Sequence, residues 1–433
     1  MMDLTVLSPT IVPRSNLPRP GIIAMVHVPV TSLLQNNCYT AAQNIPSLTL
    51  DELYLFRRCI AVVQRLTPRI EEHHANLEYV APLRSSLRSL PLLYCFDDAR
   101  NAYNEIEGSE VVLQLLETRC VQYLIQRAIH EVEVYIHRGG FELFEIENVG
   151  APYFVGAGQN PMEELFIMLF VAVAIRNKFP TIVLGMHILS CNELEVLPIA
   201  LYVGAYFVRS EATMFTGVRP EGTVKNDGNL ARYLYVRNVL ALEMKPQSEL
   251  DPASKCRYCP YLWSDLKKKH TVFYQEFQDI DIWLHNIHFM KLEGVIVTGA
   301  ETGSNVDELS LSKSRIAINA VKAFNRNTYL GVLREEGNVE GKEEEKNKDE
   351  EKTECQVAQP KTLPQRRVLD EVLELPLVTG SGLDFEMYAK YADYMIVGTA
   401  LKRGGYWENE VDGDAVEAVA QRFHELQLSR SSK

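Results

Sequence analysis

Charged residues occupy alternate positions in three strand-like stretches of the sequence. Alternate residues of a β-strand point to the same face, so each stretch would align its charges on one side. Charges inside a sheet are costly unless they meet partners or a ligand, and facing carboxylates and lysines shift each other's pKa, as acid–base catalysis requires. The aligned sets are Glu145 and Glu147 in Phe141–Val149, Arg209 and Glu211 in Ala205–Glu211, and Asp265, Lys267 and Lys269 in Leu262–His270.

Further polar residues lie near the ends of other strand-like stretches. His27 lies near the end of Ile22–Val28, and His187 lies within Thr181–Leu189. Asn148 follows Glu147, and Thr298 ends the stretch that begins at Gly294. For His27 two interpretations stay open, a core histidine with satisfied hydrogen bonds or a residue of a binding site.

Two loops near the carboxyl end of the chain consist of small residues. Glycine lets backbone N–H groups approach an anion, and the N-terminus of a helix adds partial positive charge. In (β/α)8 barrels, phosphate is frequently bound by the loops after the seventh and eighth strands. We therefore predict that these loops bind phosphate or another small anion, the alternative being that the glycines only turn the chain. The predicted anion-binding residues are Gly380, Ser381 and Gly382 after Leu375–Thr379, and Gly398 and Thr399 after Tyr394–Val397.

The elements that must position these residues alternate between strands and helices. Such alternation is typical of a parallel sheet, and eight repeats favour a closed α/β barrel of the (β/α)8 or TIM type. The polar residues would then converge on one mouth, at the carboxyl ends of the strands. A doubly wound open sheet is the alternative architecture. The predicted strands lie near Ile22, Phe141, Thr181, Ala205, Leu262, Gly294, Leu375 and Tyr394.

The whole chain, residues 1–433, is predicted to form one barrel domain with two insertions. Residues 29–108 follow the first strand and contain the amphipathic stretch Leu48–Leu66, which predicts a helical insertion. Residues 331–365 precede the seventh strand. Within them Glu335–Lys352 holds nine acidic residues and four lysines, a composition that predicts a disordered acidic loop.

The net charge and hydropathy of the chain indicate which kinds of binding partner and which cellular compartment are expected. The net charge of −13 argues against binding to nucleic acid. The longest apolar run, Leu165–Ile175, is shorter than the roughly 20 residues that a membrane-spanning helix needs, so we predict a buried helix there. Scattered cysteines and the absence of a secretory leader favour the cytoplasm, and Arg14 and Arg19 give only a weak mitochondrial signal. A homo-oligomer is compatible with this architecture.

Cofactor motifs give few indications. No glycine-rich dinucleotide motif follows the first strand, and the sequence contains no P-loop, so no nucleotide cofactor is predicted. The pair Cys256 and Cys259 forms half of a zinc site at most, with two free thiols as the default. The alternative prediction is that Glu147, Glu211 and Asp265 bind a divalent metal ion, together with water, at the mouth.

Several segments resemble the BtpA family. The stretch IIAMVHVP is similar to that family's opening strand, EIENVGAPYF to its second strand, and VIVTGAETG to a later strand and loop. The closing block LPLVTGSGLDFEMYAKYADYMIVGTALKRGGYW matches almost throughout. The sequence departs from the family pattern at His187, where many members have asparagine, and at Lys267, where many have histidine.

The resemblance implies a (β/α)8 barrel related to phosphate-binding barrels, and it leaves the function open between three hypotheses. One is an enzyme of the lyase, aldolase or isomerase type acting on a small phosphorylated or anionic metabolite, with Lys267 or Lys269 as base or electrostatic stabiliser. Another is a non-catalytic assembly factor, since the family's namesake serves photosystem I biogenesis. The third is a barrel that binds a ligand without turnover. A buried charged cluster at the mouth would favour the first over the second.

Overall fold

The computed structural model describes most of the regular secondary structure of the chain. It covers residues 21–29, 49–74, 92–93, 110–149, 162–211, 215–219, 222–224, 232–237, 260–266, 270–273, 280–289, 292–299, 306–323, 375–380 and 384–431. Lys267, Lys269, Ser381 and Gly382 lie outside these ranges, as do residues 331–365.

Eight parallel strands close into a barrel, which confirms the predicted fold and excludes the open sheet. Around the barrel the order is β1, β2, β3, β4, β7, β9, β10 and β11, and β11 pairs with β1 to complete the ring. The remaining three strands form a small antiparallel sheet beside it. The strands are β1 Gly21–Val28, β2 Leu143–Asn148, β3 Val183–His187, β4 Phe207–Ser210, β5 Gly217–Arg219, β6 Gly222–Val224, β7 Tyr261–Asp265, β8 Val272–Phe273, β9 Gly294–Thr298, β10 Leu377–Gly380 and β11 Tyr394–Val397.

Helices surround the barrel in the order that the sequence predicts. Two helices directly precede β2, and they are separated at residues 117–118. None of the helices within the described ranges is long and apolar enough to cross a membrane. The helices are α1 Leu50–His74, α2 Glu110–Leu116, α3 Arg119–Gly139, α4 Met162–Lys178, α5 Glu193–Tyr202, α6 at 232–237, α7 Ile280–Phe289, α8 at 308–323, α9 Phe385–Tyr391 and α10 Gly413–Ser431.

Helix α4 explains why Leu165–Ile175 is so apolar. Every residue of that run is buried, because the helix packs between α3, α5 and α1. Helix α1 lies within the segment predicted as an insertion and packs on α2 and α4 through residues such as Phe56, Cys59 and Val63. The apolar run is therefore a buried helix, as predicted.

The interior of the barrel begins with a layer of apolar side chains, which we call the apolar plug. The Phe207 and Trp263 rings stack with centroids 4.1 Å apart, and Tyr394 lies 5.8 Å from Trp263. Two glycines make room for these rings, since a Cβ at Gly185 would overlap Phe207 and one at Gly294 would overlap Trp263. The plug consists of Ile23, Met25, Leu143, Val183, Phe207, Trp263, Ile296, Val378, Tyr394 and Ile396.

One local prediction needs correction. The strand predicted over Leu262–His270 ends at Asp265, and Lys267 and Lys269 beyond it lie outside the described residues. Between β4 and β7, the hairpin of β5 and β6 pairs with β8. The partner strand lies far along the chain, so local composition gave no sign of this sheet.

Candidate active site

Above the apolar plug, five charged or titratable side chains share the interior at the carboxyl ends of four neighbouring strands. All five are buried. Each follows a plug residue at an even spacing along its own strand, because alternate residues of a strand face the interior. We call these five the mouth cluster; they are Glu145 and Glu147 on β2, His187 on β3, Arg209 on β4 and Asp265 on β7.

Arg209 connects the cluster across the barrel. Its Nε and Nη2 donate to the two carboxylate oxygens of Asp265 at 3.0 and 3.1 Å, and its Nη1 donates to Oε1 of Glu145 at 3.2 Å. Burial alone would lower the pKa of Arg209, but Asp265, Glu145 and Glu147 raise it well above its ordinary value. The guanidinium therefore remains charged inside the barrel.

His187 lies between carboxylates from three directions. Its Nδ1 is 2.6 Å from Oε2 of Glu147 and 3.5 Å from Oε1 of Glu145, and its Nε2 is 3.9 Å from Oε1 of Glu211. Burial lowers the pKa of His187, yet the hydrogen bond and charge of Glu147 outweigh burial and raise the pKa above 6.5. A short hydrogen bond of this kind is a route for proton transfer.

The pKa values of the two glutamates of β2 are shifted in opposite directions, although the residues are only two positions apart. Burial raises the pKa of Glu145, and the opposing charges of Arg209 and His187 do not cancel that rise. Burial also acts to raise the pKa of Glu147, but the hydrogen bond and charge of His187, together with Arg209 and His27, bring it well below its ordinary value. Neighbouring carboxyl groups with opposite preferences are typical of acid–base sites.

The loop after β3 is fixed over the cluster by side chains from neighbouring strands. The backbone N–H of Leu189 donates to Oδ1 of Asn148 at 2.7 Å, and that of Ser190 donates to Oε2 of Glu211 at 2.6 Å. Ser190 and Cys191 have left-handed backbones, with φ of 75° and 61°. Residues with side chains adopt this conformation at a cost, and such strain is frequent at functional sites.

Asn148 has a supporting role that its sequence position does not reveal. Its Nδ2 donates to Oε1 of Glu164 on α4 at 2.7 Å, while its Oδ1 holds the loop after β3. The side chain therefore links a helix to that loop. The structure connects Asn148 with the mouth through the loop.

His27 and Gly398 meet at the carboxyl ends of the neighbouring strands β1 and β11. In the sheet register His27 lies beside Glu147, and its charge contributes to the low pKa of that carboxylate. A Cβ at Gly398 would lie 3.0 Å from Cε1 of His27 and 3.2 Å from Sδ of Met25. Glycine at position 398 is thus explained by the close approach of the histidine ring. Thr399 begins a 3-10 turn, Thr399–Leu401, just beyond it.

Gly380 and Thr298 lie side by side at the ends of β10 and β9. A Cβ at Gly380 would lie 3.0 Å from Cγ2 of Thr298 and 4.0 Å from Nη2 of Arg209. The guanidinium thus reaches from β4 to the beginning of the glycine-rich loop after β10.

Most of the predicted site residues that the structure describes lie at this mouth. Glu145 is not among the predicted site residues. Its position two residues before Glu147, on the same face of the strand, was the pattern that indicates it. Ser190 was also missed, and the sequence gives no indication of its left-handed backbone. The predicted site residues at the mouth are His27, Glu147, His187, Arg209, Glu211, Asp265, Thr298, Gly380 and Gly398.

One subset of the cluster has the donor types and spacing of a metal site. One ligand atom from each of Glu145, Glu147 and His187 lies within 4.8 Å of the others. Glu211 is a further neighbour of His187. Asp265, a ligand in the predicted metal set, has both carboxylate oxygens hydrogen-bonded to Arg209.

Comparison with known proteins gives a family and several relatives. The model of the BtpA family matches residues 87–328, which include β2, β3, β4, β7 and β9. An uncharacterized protein of Archaeoglobus fulgidus is 23% identical over 303 residues, 69% of this chain and 88% of its own length. One of Thermococcus kodakarensis is 23% identical over 312 residues, 71% and 88% of the two chains. An uncharacterized protein of Caenorhabditis elegans, whose name includes the word mitochondrial, is 21% identical over 310 residues, 70% and 85%.

Proposed function

This chain belongs to the BtpA family, and we propose that the mouth of its barrel binds a small phosphorylated or otherwise anionic metabolite and acts on it by acid–base chemistry. The reaction is of the lyase, aldolase or isomerase type. The observation that supports this proposal is the mouth cluster, in which four carboxyl or imidazole groups surround one buried arginine.

A purely structural role would not explain this cluster. Replacing a buried ion pair by apolar residues is frequently neutral or stabilising, so a barrel that serves only as a scaffold gains little from it. The apolar plug shows that this sequence fills the other half of the interior with aliphatic and aromatic side chains. In barrels of this type, the carboxyl ends of the strands are also where catalytic residues are found.

The geometry gives each group a role in the proposal. The His187–Glu147 pair, with a 2.6 Å hydrogen bond, would transfer a proton to or from the metabolite. Arg209 would stabilise the negative charge that develops during the reaction. Asp265 orients Arg209 through its paired hydrogen bonds.

The anion itself would bind at the glycine-rich loops after β10 and β11, as predicted from the sequence. The proximity of Gly380 to the Arg209 guanidinium supports this placement. Ser381, Gly382 and Thr399 would add donors, and Lys267 or Lys269 would act as base or as a further positive charge.

The proposal is tested by thermal-shift measurements with inorganic phosphate and a panel of phosphorylated sugars and short carboxylic acids. A ligand of the site should raise the unfolding temperature of the wild type. Lys269→Ala and Ser381→Ala should lose that response. Lys178→Ala and Ser429→Ala are matched controls on exposed parts of helices α4 and α10, and they should keep it.

Two results would decide against this function. If no anion stabilises the wild type, the anion site is wrong. If an anion binds but no compound of the panel is consumed in a coupled product assay, the barrel is a binder without turnover, and the catalytic part of the proposal is wrong.

A further inference from the structure

Carboxyl groups outnumber cationic groups at the mouth among the described residues. The carboxyl groups are Asp265, Glu145, Glu147 and Glu211, and the groups that can carry positive charge beside them are Arg209, His187 and His27. Buried carboxylates require compensating positive charge, and a divalent cation is a common source of it.

We propose that Glu145, Glu147 and His187 bind a divalent transition-metal ion. Their donor atoms lie within 4.8 Å of one another. Ligand atoms that share an ion at about 2.1 Å lie roughly 3 to 3.5 Å apart. The 3.5 Å separation of Nδ1 of His187 from Glu145 lies in that range, and the 2.6 Å separation from Glu147 is a hydrogen bond that a bound ion would replace and lengthen.

A second observation is independent of the separations. Oε2 of Glu145 and Nε2 of His187 are buried, and neither has a hydrogen-bond partner among the described residues. Buried polar atoms are almost always partnered, so two such atoms in one cluster call for an explanation. An ion bound at Nδ1 of His187 would give Oε2 of Glu145 a partner, directly or through a water ligand, and would leave the Nε2–H of His187 facing Glu211.

The donor set indicates which ions fit. Imidazole suits zinc, iron, nickel and copper, while carboxylates suit magnesium, calcium and manganese. A site with one imidazole and two carboxylates is therefore best matched by Mn²⁺, Fe²⁺, Co²⁺ or Zn²⁺. Calcium prefers six to eight oxygen ligands, and magnesium keeps most of its waters, so both fit less well.

This inference deepens the proposed function and rests on it only for the role of the ion in the reaction. The ion would take the place of the proton shared by His187 and Glu147, and proton transfer would then fall to Lys267 or Lys269. With open positions facing the mouth, the ion would polarise a carbonyl or phosphoryl oxygen of the metabolite as a Lewis acid. Binding of the ion itself needs no metabolite. The experiment below therefore uses metal alone, and its failure would leave the phosphate screen unaffected.

The test is titration of chelator-treated protein with Co²⁺, followed by visible absorption, and with Mn²⁺, followed by calorimetry. We expect one ion per chain in the wild type and in the Cys256→Ser/Cys259→Ser variant, because the thiols play no part. Glu145→Gln, Glu147→Gln and His187→Asn should each weaken metal binding by at least about 100-fold. Replacing a residue that only supports a ligand weakens metal binding by up to about 100-fold, so the loss of a ligand itself should reach at least that value. Glu417→Gln alters an exposed carboxylate that pairs with Arg138, at the end of the helix before β2, and should bind as the wild type does.

Circular dichroism of each variant without metal identifies any variant that does not fold. The ligand variants that do fold then test the proposal. The proposal is overturned if the wild type binds no ion stoichiometrically. It is also overturned if the folded ligand variants all retain wild-type affinity, or if only the cysteine variant loses binding.

Discussion

The two halves of the barrel interior are built on the same strands but differ in chemistry. On β4, Phe207 lies in the apolar plug and Arg209, two residues later, lies in the mouth cluster. On β7, Trp263 and Asp265 show the same change. The lower half is packed by stacked rings, and the upper half is held by ion pairs and short hydrogen bonds.

Under the proposed function, this difference separates the residues that stabilise the protein from those that bind the ligand. Apolar packing contributes to stability at every contact, whereas buried charge contributes little net stability even when it is well paired. Functional sites commonly reduce stability for this reason. The following predictions test whether the two halves can be separated by mutation.

The largest loss of stability is expected in the plug. Trp263→Ala removes a buried ring that stacks on Phe207 and lies near Tyr394, and it should lower the free energy of unfolding by about 5 kcal/mol, the upper end for such truncations. Urea unfolding followed by circular dichroism measures it. Tyr406→Ala, at an exposed aromatic residue, should change stability by less than about 0.5 kcal/mol. Equal losses in the two variants would contradict the plug's role.

Arg209→Gln should be less destabilising than Trp263→Ala but should also remove ligand binding. The change leaves Asp265 buried without its partner, which typically costs about 3 kcal/mol or more. We expect the lower end, because the raised pKa of Glu145 lets that carboxyl take up a proton. Arg138→Gln, at an exposed arginine, should cost about 1 kcal/mol or less and leave the phosphate-induced shift unchanged. If folded Arg209→Gln keeps the phosphate-induced rise in unfolding temperature, Arg209 is not part of the anion site.

Much of this arrangement follows from sequence patterns alone. The spacing of apolar stretches predicted all eight barrel strands within a few residues, and alternation placed Arg209 and Glu211 on one face. The alternation of residues along a strand shows which residues share a face but not how deep in the barrel they lie. Glu145 was therefore not recognised as a site residue. The role of Asn148 depends on Glu164 in a helix, and such a contact has no local signal. The contributions of Lys267 and Lys269 remain predictions.

The glutamates of β2 should give opposite pH dependences in chelator-treated protein. Burial raises the pKa of Glu145 above 4.5. Its contribution to the free energy of unfolding is therefore fully present below pH 4.5 and is lost as the pH rises through the folded-state pKa. The pKa of Glu147 is lowered by His187 and Arg209 against the effect of burial, so its contribution is present above pH 4.5 and is lost as the pH falls.

Urea unfolding across a pH series should therefore separate two variants. Relative to the wild type, Glu145→Gln should become more stable as the pH rises above 4.5. Glu147→Gln should be less stable near neutral pH and approach the wild type in acid. Parallel pH profiles for the two variants would show that the two carboxyl groups do not differ as described.

The smallest effect is expected for the support of the loop after β3. Asn148→Ala removes the hydrogen bonds to Leu189 and Glu164, and it should lower stability by about 1 to 3 kcal/mol, as for buried polar groups that lose a partner. Because Asn148 acts on the site through the loop, ligand affinity should fall only modestly. Calorimetric titration of the variant with Co²⁺ measures this. A loss as large as that of Glu147→Gln would instead place Asn148 among the ligands.

The most direct test of the mouth cluster compares the free energies of unfolding of the wild type and Glu145→Gln at neutral pH. Each is measured first alone and then with Mn²⁺. If the cluster binds a metal ion, Glu145→Gln should be at least as stable as the wild type when alone, and only the wild type should be stabilised by Mn²⁺. A variant that is less stable alone and responds to Mn²⁺ as the wild type does would show that the charged half of the barrel is structural.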